Sequence, residues 1–141
     1  MYDIIFVCTG NTCRSPMAEA IAKNLCPNLK ITSMGVAAFN GMPASKNACI
    51  TMEDMGLSLA CHRSKLIDHK LLGSAKLVLT MTQAHLLLVK SLCKGADVFT
   101  LAEYAGEGGD IPDPFGGDLK TYQDCARQIE SLILTFAKSV E

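Results

Sequence analysis

Four short apolar runs, each separated from the next by a stretch of helical length, are the feature that most restricts the fold of this chain. They are "DIIFVC" at 3–8, "KITSM" at 30–34, "AKLVLTM" at 75–81 and "DVFTL" at 97–101. Runs of this length, rich in β-branched residues, read as buried strands. Between the first two, "SPMAEAIAKNLC" stacks Ala18, Ile21, Ala22 and Leu25 on one side, and 44–55 and 82–93 have comparable length with less regular spacing. After the fourth run, Tyr122, Cys125, Ala126, Ile129, Leu132, Ile133, Phe136, Ala137 and Val140 recur at intervals of three and four. That is the stripe of an amphipathic helix closing over a sheet. Strands joined through helices pair in parallel by right-handed crossovers. The expectation is an α/β three-layer sandwich, a four-stranded parallel sheet with helices on both faces, binding its ligand beyond the carboxyl ends of the strands.

The remaining bulk properties narrow the setting. A chain of 141 residues with 49% hydrophobic and 19% charged residues is sized for one independently folding domain over 1–141. A net charge of −1 offers no concentrated basic face, which argues against nucleic acid or an anionic membrane as partner. No apolar run approaches the ~20 residues that span a bilayer. Seven cysteines, an odd number spread evenly, fit the reducing cytoplasm. No C-x-x-C occurs, and His62, His69 and His85 form no zinc-like pair with a cysteine, so neither metal nor cofactor is expected. A cytoplasmic monomer is the simplest reading.

The chemistry concentrates in "CTGNTCRSP", Cys8 to Pro16, between the first strand and the first helix. Gly10 permits a positive φ and Asn11 tolerates one, so successive amides can curl toward an anion, reinforced by the positive end of the helix. Arg14 adds a planar fork of donors suited to two phosphoryl oxygens. In that field the sulfur of Cys8 is held as a thiolate, and a thiolate beneath a bound phosphorus is a nucleophile. Ser15 is placed to cap the helix ahead of Pro16, to hydrogen-bond the thiolate, or both. Neither the Walker nor the dinucleotide glycine pattern is present. A second loop, "YAGEGGDIPDPFGGD" at 104–118, holds five glycines, two prolines and four acidic residues, and is too long for a mere connection. The shorter "NGMPAS" at 40–45 also stands out as a loop.

With "CTGNTCRSPMAEA" at 8–20 and "DPFGG" at 113–117, the sequence resembles the low-molecular-weight protein tyrosine phosphatase family over essentially its whole length. The resemblance implies that Cys8 attacks phosphorus while Arg14 and the loop amides hold the equatorial oxygens. Asp113 then protonates the leaving group and later serves as base when water hydrolyses the phosphocysteine; Asp110 is the weaker candidate for that acid. Thr9, Gly10, Asn11, Thr12, Cys13, Ser15 and Phe115 would contact substrate or its loop. Asn11 and Ser15 match residues that stiffen the loop, with Ser33 and His62 as their supporting partners, His62 being mainly structural. Cys13 matches a neighbouring cysteine able to trap oxidised Cys8 as a disulfide.

Within that family, tyrosine-specific members carry a bulky aliphatic residue where Thr12 stands, and more than one aromatic after the Asp-Pro pair. Here Phe115 is followed by Gly116 and Gly117. The pattern resembles the protein arginine phosphatase branch, with phosphorylated proteins as partners. A tyrosine phosphatase is the alternative. An arsenate reductase would need a resolving cysteine pair, and Cys93 stands alone; a phosphate-binding module without catalysis would have no use for Cys8, Arg14 and Asp113 together.

Overall fold

The structure, a computed structural model, describes residues 1–140. In chain order it contains β1 (Ile4–Cys8), α1 (Arg14–Leu25), β2 (Ile31–Gly35), α2 (Lys46–Asp54), α3 (His69–Ser74), β3 (Leu77–Thr80), α4 (Gln83–Leu92), β4 (Val98–Thr100), α5 (Leu101–Tyr104) and α6 (Leu119–Val140). The strands form one four-stranded sheet in the order β2-β1-β3-β4, every pairing parallel.

Strand alternation divides the core into two layers. Ile4, Phe6 and Cys8 face a cluster with Met17 and Ile21 of α1, Met52 of α2, and Ile129, Ile133 and Phe136 of α6. Ile5 and Val7 face the other side, with Leu72 of α3 and Leu86 and Val89 of α4. Full burial of each large aliphatic contributes roughly 1.5–3 kcal/mol. Because β2 and β3 flank β1 on opposite sides, the chain reverses its direction of travel across the sheet at β1. A crevice opens at such a switch point, at the carboxyl ends of the strands. Cys8 is the last residue of β1 and so lies at that crevice.

Three local expectations are corrected. Two short helices, α3 and α5, lie where the apolar pattern predicts none: six and four residues are too few to display a periodic stripe. Ser15 does not cap α1, which already begins at Arg14 with Cys13 at the cap position and no side-chain cap; the hydroxyl is used elsewhere. Only Asn11, with φ of 57°, takes up the left-handed conformation expected around Gly10 and Asn11. Gly10 does not need it, and a Cβ there would make ordinary contact with Thr12 Oγ1 at 3.7 Å.

Candidate active site

The loop leaving β1 is held from outside by its carbonyl oxygens. Val36 N donates to Cys8 O at 2.9 Å, Ala37 N to Thr9 O at 2.9 Å, and Ser45 N to Thr12 O at 2.9 Å. His62 Nε2 donates to Asn11 O at 2.7 Å, and Met17 N to Cys13 O at 3.2 Å. With the oxygens turned to the scaffold, the amides of Gly10, Asn11, Thr12 and Cys13 donate to no acceptor among the described residues. Cys8, Thr9, Gly10, Thr12, Cys13 and Arg14 line a cavity of about 200 Å³, together with Asp113 and Phe115. That is smaller than the ~300–1,000 Å³ typical of drug-sized ligand pockets and suited to a compact anion.

Asn11 is the internal brace of this loop. Its side-chain amide donates to Ser15 Oγ at 2.8 Å and to Ser33 Oγ at 2.9 Å, while its Oδ1 accepts from Lys65 N at 2.9 Å. Ser33 passes its own hydrogen to Glu19 Oε1 at 2.6 Å. Ser15 Oγ, accepting from Asn11, lies 2.9 Å from Cys8 Sγ and 3.5 Å from Met34 O. The Ser15 hydroxyl therefore lies against the sulfur, the nearer of these two neighbours.

Arg14 ties this loop to the late one. It is 4% exposed, so its charge is little screened. One guanidinium nitrogen donates to Ile111 O at 2.8 Å; another lies 3.6 Å from Asp113 Oδ2. A guanidinium has five N–H donors, which leaves donors for a bound anion. Asp113 Oδ1 accepts from Phe115 N at 3.1 Å, a tight turn that fixes the carboxylate at the cavity mouth. Asp110 is turned away to accept from Gln83 N at 2.8 Å, anchoring the loop instead. Cys13 is buried, with Sγ 3.3 Å from Tyr122 OH and 3.4 Å from Ser45 Oγ.

The structure lines one cavity with Cys8, Thr9, Gly10, Thr12, Cys13, Arg14, Asp113 and Phe115, buries Asn11 and Ser15 behind it as braces, turns Asp110 away, and adds three residues. Gly35 lies directly below the loop: a Cβ there would come within 2.5 Å of Thr9 O and 2.9 Å of Asn11 N. Tyr122 backs Cys13, and burial, then the Cys13 contact, pushes its hydroxyl pKa up to about 12. His85 places Nε2 at 2.8 Å from Thr9 Oγ1. Burial first, and the nearby Arg14 charge second, push the His85 pKa down to about 4, against the opposing pull of Asp110 and Asp113. A larger cavity of about 590 Å³ lies at the amino-terminal ends of the strands, around Asp3, Leu77 and Tyr104. It is remote from the nucleophile and from the switch point, so the smaller one holds the chemistry.

A thiol under outward-turned carbonyls, with an arginine and an aspartate at its rim, defines a cysteine-dependent phosphatase, and comparison with known proteins places it. The chain belongs to the low molecular weight phosphotyrosine protein phosphatase family, whose model matches residues 3–141. It is 39% identical over 144 residues to a protein-arginine-phosphatase of Geobacillus stearothermophilus, covering 99% of this chain and 97% of that one. It is 41% identical over 131 residues to the low molecular weight protein-tyrosine-phosphatase PtpB of Staphylococcus epidermidis, covering 92% and 93%. Among solved structures, the cysteine-to-serine mutant of YwlE arginine phosphatase, with its active-site serine phosphorylated, superposes with a TM-score of 0.93 at 39% identity, covering 97% of this chain and 94% of that one. Relatives with two substrate names stand at nearly equal identity, so overall similarity does not choose between them.

Proposed function

We propose that this chain is a protein-arginine phosphatase of the cytoplasm, acting as a monomer without metal or cofactor through a phosphocysteine at Cys8. The observation that carries the reading is the reversal of the Cys8–Arg14 loop, with carbonyls bonded outward and amides free around the sulfur. Such a ring of donors stabilises the charge that develops on transferring phosphoryl oxygens, and it is in place before the substrate arrives.

In the first step the Cys8 thiolate attacks phosphorus, the S–P bond forms and the P–N bond to the arginine side chain breaks. Asp113 gives its proton to the leaving nitrogen. The Arg14 guanidinium and the amides of residues 10–13 hold the three equatorial oxygens, while the Ser15 hydroxyl, 2.9 Å from the sulfur, steadies the thiolate before attack and after release. In the second step water attacks phosphorus, the carboxylate of Asp113 takes its proton, the S–P bond breaks and inorganic phosphate leaves.

Support for phosphoarginine comes from Thr12 and Phe115. Thr12 lines the cavity, and its hydroxyl has only a long 3.8 Å contact to Cys13 Sγ. It is free to accept a hydrogen from a guanidinium leaving group, which an aliphatic side chain there could not do. Phe115, 73% exposed, is a single aromatic wall at the mouth, half of what a sandwiched phenyl ring would use. The test is kcat/KM on matched phosphoarginine and phosphotyrosine peptides for the native chain and Thr12→Ile. The native chain should favour phosphoarginine, and Thr12→Ile should move the ratio toward phosphotyrosine by roughly 10-fold or more, the scale of one lost polar contact in a pocket. A native preference for phosphotyrosine, or an unmoved ratio, would overturn the assignment.

A further inference from the structure

His85 lies outside the cavity lining, yet both of its ring nitrogens are engaged, and one of them reaches the loop. Nε2 is 2.8 Å from Thr9 Oγ1, and Nδ1 is 3.0 Å from Thr82 Oγ1. Thr82 is the cap residue of α4, and its Oγ1 already accepts the His85 backbone N–H at 3.2 Å. The hydroxyl hydrogen of Thr82 is therefore available to donate to Nδ1. A neutral imidazole has one donor nitrogen and one acceptor nitrogen. Once Nδ1 accepts from Thr82, Nε2–H must donate to Thr9 Oγ1. The charged groups facing the ring are Arg14 from α1 and Asp110 and Asp113 from the late loop. The buried ring beside Arg14 stays neutral, its pKa held near 4.

The consequence falls on Thr9, which is exposed and lines the cavity beside Cys8. Its Oγ has no other side-chain or backbone partner among the described residues. We infer that His85 is a positioning residue: it occupies the acceptor side of the Thr9 hydroxyl and so turns the hydroxyl hydrogen into the cavity, as one more donor to the bound phosphoryl group. The relay runs from Thr82 through His85 to Thr9, and joins the start of α4 to the anion cradle. If the ring had the opposite tautomer, the Thr9 hydrogen would be spent on Nε2 and only a lone pair would face the anion.

The inference rests on the phosphatase reading of the cavity but is independent of which phosphorylated residue is the substrate. Its tests therefore use a generic aryl phosphate monoester and inorganic phosphate as competitive inhibitor. Long-range ¹H–¹⁵N spectra of the whole chain should show His85 protonated at Nε2; protonation at Nδ1 would overturn the relay. Thr9→Val should raise the inhibition constant of phosphate roughly tenfold or more, as for a lost hydrogen bond to a charged group. Thr9→Ser should restore it. His85→Leu should weaken phosphate binding in the same way, and His85→Gln, which keeps an N–H near the Nε2 position, should recover most of the loss. In the double variant His85→Leu/Thr9→Val, the loss should not exceed that of Thr9→Val alone. Losses that multiply, or a phosphate constant unmoved by Thr9→Val, would show that His85 merely packs.

Discussion

The two loops that form the site are built in opposite ways. The loop from Thr9 to Arg14 sits between a strand and a helix, with five of the carbonyls from Cys8 to Cys13 bonded to the scaffold and Asn11 fully buried at its centre. The loop from Ala105 to Asp118 is mostly exposed and bends at Gly106, Gly109 and Gly116, all with positive φ. It is pinned mainly at Ile111, whose N–H donates to Met81 O at 3.0 Å and whose carbonyl accepts from Arg14. The difference separates two tasks. An anion cradle must be rigid before substrate arrives, because reorganising its dipoles during reaction would raise the barrier. An acid that meets leaving groups on a bulky protein substrate needs access, and Asp113 is half-exposed. Substitutions of the residues that brace the first loop from within, Asn11 above all, should harm stability and activity together; those in the second loop should harm activity alone.

The largest effect is expected for Cys8→Ser, which should abolish measurable turnover while leaving the urea midpoint near that of the native chain. Asp113→Asn comes next, lowering kcat by ~10²–10⁴-fold, the range for a lost general acid, again without loss of stability. An equal fall in the urea midpoint would erase the contrast between the loops. Asn11→Ala should do both kinds of harm. It removes the donor to Ser15 and Ser33 and the acceptor for Lys65 N, and places alanine at a φ of 57°. A loss of about 3 kcal/mol in stability follows from unpaired buried groups and left-handed strain, with turnover falling as the thiolate loses its brace.

How much of this was legible beforehand follows from where the signals lay. All four strands and the helices α1, α2, α4 and α6 were readable within a few residues, because apolar periodicity is a local property. The buried stripe of α6 is the one counted from its spacing, with Val140 only half-buried at its end. The short α5 has one local signal in the sequence, the capping box formed by Thr100 and Glu103. Cys8, Arg14 and Asp113 could be named because two short motifs hold them. His85 and Tyr122 could not, since they reach the loop across 76 and 109 residues of sequence. Gly35 was invisible for another reason: its contribution is the missing side chain beneath Thr9.

A smaller effect comes from acid. His85 has its pKa lowered from 6.5 to about 4 in the folded chain. Between those values the unfolded chain binds a proton that the folded chain refuses, so stability rises with pH across the window and falls on acidification through it. Urea midpoints measured from pH 7 down to 4 should decline, and His85→Gln should flatten that slope; a slope unchanged in the variant would place its origin elsewhere. The smallest effect is expected for Phe115→Ala. An exposed side chain on the late loop should cost less than ~0.5 kcal/mol of stability, and raise KM a few-fold with kcat little changed.

The most direct test asks where the phosphoryl group goes. Mixing the native chain with a phosphoarginine peptide, quenching in acid within the first turnover and mapping the digest by mass should find one added phosphoryl group on the peptide holding Cys8. It should be absent in Cys8→Ala, whose methyl group offers no nucleophile. A chain that turns over the substrate while carrying the group on another residue, or on none, would contradict the account at its centre.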